Sequence, residues 1–281
     1  MPQSKFNAES FLQNFHMQKK EAAVSVYETI DSTNTEALRR LTACTSYEQI
    51  KKHDREIFVA AMQTKGRGRT GRTFYSPDST GIYFSFITVS SERQSRQELL
   101  TVRSAVGVCR AIDKCFGTDC KIKWVNDIYL NSRKVCGILA EGFSLPDAEC
   151  IQATVVGIGI NISMDSSYAK ENNLSNAGGI VDAADRDMRL TLAAKCIEEI
   201  FCILDSDENV MDEYKSRSML MGKAVTVSPI ASAYAAGCTP QSYEAVAVRI
   251  EDDASLTVRL PNGRLKSLSS GEVTLHNTLL F

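Results

Sequence analysis

The segment TKGRGRTGRTFYS, residues 64–76, gathers the residues most able to do chemistry. Between Lys65 and Arg72 it sets four cations among three glycines. Glycine lets a backbone approach a ligand closely. Arginine offers a planar fork that matches phosphate and carboxylate. Gly66, Gly68 and Gly71 satisfy G-x-G-x-x-G, and Arg72 stands in the Lys place of an incomplete G-x-x-x-x-G-K-[ST]. Both patterns need a helix directly after the glycines, because its N-terminus holds the phosphates. TFYSPDSTG follows instead, and Pro77 and Gly81 leave no room for a helix before the next apolar run. A kinase glycine loop would be flanked by strands, as this one is, but neither H-R-D nor D-F-G occurs in the chain. What remains is a cationic loop between strands, able to clamp an anion, bind RNA or lie in solvent as a charged turn.

Other reactive positions lie at the ends of elements. Ser32, Thr33 and Asn34 stand where a helix should begin, and Thr33 with Glu36 reads as a T-x-x-E capping box. Their hydroxyls and amide donate and accept hydrogen bonds, so the trio can cap a helix or grip a polar ring. Gln63 ends the strand before the glycine loop. Asn126 and Asp127 follow Trp124, the only tryptophan, which can line a pocket or sit in a core. Lys134 follows the hairpin turn NSR. Strand alternation places it on one face with Cys136 and Ile138, where an ammonium calls for an anion.

These positions need a scaffold. VSVYETI, EIFVAAM and GIYFSFITV read as strands, as do IKW, DIYL, KVCGILAEG and the buried run CIQATVVGIGINIS. Leu99, Val102, Val106, Cys109 and Ile112 mark one face of a helix over 96–116. LTLAAKCIEEIFCILD, 190–205, is a second long helix, and ENVMDEYKSRSML a third. The first residues form a polar lead-in or a short helix, with Phe6, Phe11, Leu12 and Phe15 weakly periodic. The polar stretch 164–187 is long for a connection without structure, which marks it as functional or mobile. From Gly222 the texture changes to short alternating strands, KAVTVSPI, YEAVAVRIE, SLTVRLP and LKSLSSGEVTL, with a hairpin at Asn262-Gly263. The expected fold class is α+β, with a mixed β-sheet and helices followed by a small β-barrel. The expected units are a lead-in over 1–23, a main domain over 24–218 and the barrel over 219–281.

Bulk properties narrow the function. The net charge is −2 and the pI about 6.0, so the chain is no general polyanion binder. The nine cysteines include no C-x-x-C pair, and none of the three histidines neighbours one, which argues against structural zinc and for reduced thiols. The N-terminus lacks an apolar signal region, and no apolar run reaches the ~20 residues that span a bilayer. The expected setting is cytoplasmic, without membrane attachment.

The blocks GRGRTGR (66–72), KWVND (123–127), RKVCGIL (133–139) and VGIGIN (156–161), with Ser32-Thr33-Asn34 behind a strand, resemble those of biotin protein ligases in order and spacing. The resemblance covers about residues 24–205, and GEV at 271–273 suits that family's small C-terminal SH3-like domain. It implies a class II synthetase-like, lipoate–biotin ligase fold. It implies biotin and ATP as substrates with Mg²⁺, and a biotin carboxyl carrier protein or carboxylase domain as acceptor. Val125 departs from the usual K-W-P-N-D, losing a rigid turn. No counterpart of the winged-helix domain of repressor-type members is seen, so no DNA partner is expected. The expected assembly is a monomer or homodimer.

Carried over position by position, the resemblance assigns biotin to Ser32, Thr33, Asn34, Gln63, Arg67, Gly68, Arg69 and Lys134. It assigns the nucleotide or adenylate to Arg67, Arg69, Arg72, Asn126 and Asn161. Lys134, Arg69 and Asp127 are the expected catalytic residues, with Lys134 between the biotin carboxylate and the α-phosphate. Asp127 either holds Mg²⁺ through water or takes the proton of the acceptor lysine. The 164–187 stretch becomes the candidate cover of the adenylate. The glycine loop, self-repelling and short of anions, is expected to be mobile until ligands order it. Two other functions compete. A lipoate or octanoate transferase shares the fold, but its signature carries a histidine near the site, and none lies near these motifs. A nucleic-acid module would use the basic loop and the barrel, yet residues 219–281 hold five Lys+Arg against five Asp+Glu.

Overall fold

A computed structural model describes residues 6–16, 23–89, 97–164, 169, 174, 176–206, 208–228, 241–269 and 272–275. Seven strands form the main sheet: β1 (Val24–Ile30), β2 (Ile57–Gln63), β3 (Gly81–Val89), β4 (Lys121–Lys123), β5 (Asp127–Leu130), β6 (Arg133–Phe143) and β7 (Ala153–Asn161). Their order is β1-β2-β3-β7-β6-β5-β4. Only β1 and β2 run parallel; every other neighbouring pair is antiparallel. The mixed sheet with helices bears out the α+β expectation.

The two faces of the sheet do different work, and β7 displays the division. Its even positions, Val156, Ile158 and Ile160, enter the main core beneath the long helices Gln97–Phe116 and Arg186–Asp205. At its odd positions Ala153 and Val155 pack with Ala37, Leu41 and Ile50 of the short helices Thr33–Thr42 and Tyr47–Lys51. Further along that same face stand Gly157 and Gly159, so the sheet is bare where the short helices end.

The lead-in folds as a short helix, Ala8–Leu12, with Phe6 and Phe11 buried and Leu12 exposed. The second long helix starts at Arg186, earlier than its apolar pattern, because Asp185 caps Met188 N–H at 2.8 Å. A shorter helix covers Met211–Ser216. The stretch 164–187 lies only partly within the described residues.

The C-terminal strands are β8 (Ala224–Ser228), β9 (Tyr243–Ile250), β10 (Leu256–Arg259), β11 (Leu265–Leu268) and β12 (Glu272–Leu275). They form one antiparallel sheet, ordered β11-β10-β9-β8-β12, which fits an SH3-like unit. LKSLSSGEVTL, read as one run, is two strands on opposite edges of that sheet. The Trp124 indole N–H donates to the Ala254 carbonyl at 2.8 Å and so ties the C-terminal sheet to the end of β4. Among the described residues no helix is long and apolar enough to cross a membrane.

Candidate active site

The bare patch of the sheet is the floor of a cavity of about 180 Å³. Gly157 has no choice of side chain there: a Cβ would stand 1.9 Å from Asn34 Oδ1. At Gly159 a Cβ would stand 2.5 Å from the Phe74 ring. The VGIGIN block thus clears space for the start of a helix and for an aromatic from the glycine loop.

Ser32, Thr33 and Asn34 form one wall, each less than 5% exposed. The capping box is not formed. Ser32 is the cap, in extended backbone, and its hydroxyl accepts from Thr35 N–H at 3.4 Å. Glu36 pairs instead with Arg39 and Arg40, at 3.0 and 3.3 Å. With Ser32 as the cap, Thr33 is free of that duty, and its N–H donates to Gln63 Oε1 at 2.9 Å. Ser85, buried on β3, places its hydroxyl 2.7 Å from Thr33 Oγ1 and 2.6 Å from Asn34 Oδ1. Gln63 completes the wall by donating to Ser76 Oγ at 3.0 Å. Below the trio, the Arg39 guanidinium holds the Asp31 carboxyl below its ordinary value.

The glycine loop forms the rim. It is a closed turn: Gly68 N–H donates to the Arg72 carbonyl at 2.7 Å, and Arg67 bridges Thr73. The expectation of a loop without anions fails at Arg67, whose Nη2 donates to Glu141 Oε1 at 2.6 Å. Glu141 also accepts from Asn34 Nδ2 at 2.8 Å, so one carboxylate joins the rim to the wall. Arg69 reaches across to Asn126 Oδ1 at 3.1 Å, and Asn126 is oriented by donating to the Ile138 carbonyl at 2.9 Å. Gly68 and Arg72 also line the cavity.

Lys134 enters by a different route from the one strand alternation implies. Asn131 and Ser132, at φ 50° and 62°, make the two-residue turn between β5 and β6. Asp127 opposes Gly137 and Ile128 opposes Cys136, but Tyr129 opposes Lys134. Val135 is the extra residue of a bulge, and both it and Cys136 are fully buried. The bulge turns Lys134 away from the face of Cys136 and Ile138 and onto the face of Gly137. Its Nζ lies 2.6 Å from Asp127 Oδ1. On the same face burial, and then the Asp127 charge, push the Tyr129 phenol up to about 12.

Trp124 is both core and wall: it is 4% exposed and also lines the cavity. Val125 keeps the turn that a proline would make, and its carbonyl accepts from the Tyr214 hydroxyl at 2.9 Å. Val273 and Thr274 of β12 close the remaining side. Asn161 stands apart. It is buried on the floor's face of β7, two residues past Gly159, but is not among the described lining residues. No group of three or more His, Cys, Asp or Glu able to hold a metal occurs among the described residues, and Asp127 is already paired.

Four contributors escape sequence reading: Phe74, Ser76, Ser85 and Glu141. Ser85 and Glu141 leave a faint signal, a polar residue inside an otherwise apolar strand. Nothing in the order of residues marks Phe74 as a cover for glycines 63 and 85 positions away.

The arrangement can hold a polar ring at the Ser32–Asn34 wall and an anion between Lys134 and the loop arginines. Comparisons with known proteins point to one family. The model of the biotin/lipoate A/B protein ligase family matches residues 26–161. The bifunctional ligase/repressor BirA of Escherichia coli is 31% identical over 185 residues, which cover 65% of this chain and 54% of that protein. The biotin–[acetyl-CoA-carboxylase] ligase of Paracoccus denitrificans is 31% identical over 139 residues, 47% of this chain and 52% of that one. The chain thus spans about half the length of these curated relatives. The biotin protein ligase from Aquifex aeolicus, solved with biotin and ATP, shares the fold at a TM-score of 0.66 and 22% identity, over 90% of this chain and 98% of that one. Residues 26–161 thus match the biotin/lipoate A/B protein ligase family, and the fold around them is that of a biotin protein ligase.

Proposed function

We propose that the chain is an ATP-dependent biotin–protein ligase. In the first step a biotin carboxylate oxygen attacks the α-phosphorus of ATP. An O–P bond forms, the bond to the pyrophosphate bridging oxygen breaks, and biotinyl-adenylate and pyrophosphate result. In the second step the neutral amine of an acceptor lysine attacks the acyl carbon. A C–N bond forms, the C–O bond to AMP breaks, and the amine gives up a proton.

The observation that carries this reading is the bulge that turns Lys134 onto the glycine floor. Two anions must meet in the first step, and a fixed cation there stabilises the charge that builds between them. Arg67, Arg69 and Arg72 on the rim supply further donors for the carboxylate and the phosphates. Ser32, Thr33, Asn34 and Gln63 match a ureido ring, which offers one acceptor and two donors. Asn126 orients Arg69, and Asn161 extends the polar face toward the nucleotide. Asp127 is the proton acceptor we assign to the second step, held in place by its ion pair with Lys134. Magnesium, when bound, would come with the nucleotide phosphates and help to neutralise their charge. The acceptor is a biotin carboxyl carrier protein or carboxylase domain. The functional unit is residues 24–218 with the 219–281 sheet as one wall.

Biotin-dependent exchange of pyrophosphate into ATP tests the reading. Exchange with biotin and not with lipoate or octanoate is the expected result. Exchange with lipoate or octanoate instead would move the chain to the other branch of its family, and no exchange with any acid would remove the ligase assignment.

A further inference from the structure

Helix Arg186–Asp205 buries Arg189 to 2% exposure. Taking a guanidinium out of water is costly unless every donor is well paired. Its three nitrogens serve two backbone carbonyls and one carboxylate. Nε donates to the Gly81 carbonyl at 2.6 Å, Nη2 to the Ala61 carbonyl at 2.5 Å, and Nη1 to Asp78 Oδ1 at 3.1 Å. The Phe6 ring covers the guanidinium, its centroid 5.4 Å away.

The place of these acceptors gives the arginine its meaning. The β2–β3 ladder ends at Ala60 opposite Tyr83, where the strands part to release the glycine loop. Ala61 and Gly81 lie at the two ends of the loop, just past that last rung, and Asp78 lies in its returning arm. A Lys could reach one of these acceptors; only the fork of Arg reaches all three. The returning arm is also tied by the Tyr83 hydroxyl, which donates to the Pro77 carbonyl at 3.1 Å. The Tyr83 ring in turn meets Phe74 edge-on at 6.3 Å, and Phe74 covers Gly159 on the cavity floor.

We infer that Arg189 is a positioning residue for the reaction: it sets the span of the ligand loop at its base and, through the returning arm, the seat of Phe74 on the cavity floor. The inference rests on the ligase reading of the site. Full-length Arg189→Lys and Arg189→Gln are compared with the wild type in melting temperature, in KM for biotin and kcat of pyrophosphate exchange, and in tryptic cleavage within 65–72. KM for biotin should rise about tenfold in Arg189→Gln, the scale of a lost charged hydrogen bond, and less in Arg189→Lys, with kcat changed far less. Cleavage of the loop should quicken in the same order. Variants that melt earlier but keep the wild-type KM and cleavage rate would make Arg189 a core residue and nothing more. Failure of both variants to fold would overturn the inference equally. If the wild type shows no exchange, the ligase reading falls, and the cleavage rates alone then decide whether Arg189 sets the loop.

Discussion

The Lys134 ammonium and the Asp127 carboxylate stand 2.6 Å apart on one face of a bulged strand pair, each partly buried. Neither residue alone determines that geometry. Without the extra Val135, Lys134 would point into the core with Cys136. The pair therefore stores a charge at the floor in a neutral combination, ready to be divided between an anionic substrate and a base.

Replacing Lys134 with Ala removes the cation at the meeting point of two anions. The expected loss in biotin-dependent exchange is about 10²–10³-fold, as for other preorganised donors at a developing charge. Asp127→Asn should spare exchange more than transfer to the carrier lysine, since the base is needed only in the second step. Single-turnover assays of the two steps check both statements, and an Asp127→Asn variant impaired only in exchange would remove the base assignment.

Gly157→Ala places a methyl 1.9 Å from Asn34 Oδ1. The Asn34 amide must swing away, which costs about 1–3 kcal/mol in a packed wall and breaks its bond to Glu141. Biotin affinity should fall more than that for ATP, as titration calorimetry with each ligand will show. Equal losses for both would mean that the wall does not contact the ring.

How far these relationships can be read from the chain depends on their range. β7 is legible because an unbroken, mostly apolar run matches a strand buried along all nine residues, and its glycines fall on one face only. The Ser32–Asn34 trio is legible as a helix start, although its cap sits one residue earlier than Thr33. Lys134 lines the cavity, but alternation orients it wrongly, because a bulge depends on how two strands meet and leaves no mark in the period of either. Glu141 reaches partners 74 and 107 residues away, and no local signal encodes such a contact. The C-terminal wall is invisible for the same reason.

Acid should loosen the packing of Met211–Ser216 against helix Gln97–Phe116. Arg110 pairs with Glu208 and Glu213 at 2.6 and 2.5 Å. The Arg110 hydrogen bond holds the Glu208 carboxyl below its ordinary value of 4.5. At Glu213 burial pushes upward, but Arg110 and Arg217 together outweigh it and leave the carboxyl lowered. Lowered carboxyls contribute stability that is fully present above the unfolded value and is lost as pH falls through the folded one. Melting temperature should therefore hold above about pH 5 and drop below about pH 4. Arg110→Met should lower it at neutral pH and flatten the acid decline. Parallel acid declines in the two proteins would count against the pairing.

Glu141 is the anion that the glycine loop carries within its own chain. It binds Arg67 at 2.6 Å and Asn34 at 2.8 Å, so the rim and the wall move together while it is ionised. The loop should accordingly resist trypsin at Arg67 even without ligand, contrary to the behaviour of a free cationic turn. Glu141→Gln keeps the size and one acceptor but removes the charge. The pair is partly exposed, so its loss is worth at most ~1 kcal/mol, or about fivefold in the population of an opened loop. Cleavage after Arg67 should quicken by up to about that factor in Glu141→Gln. Biotin with ATP should slow cleavage in both proteins, because the anion of the adenylate supplies what the variant lacks. Mass identification of the fragments separates Arg67 from Arg69 and Arg72. Cleavage of the ligand-free wild type at all three sites, at the rate of the variant, would show that the Glu141 contact does not hold the loop in solution.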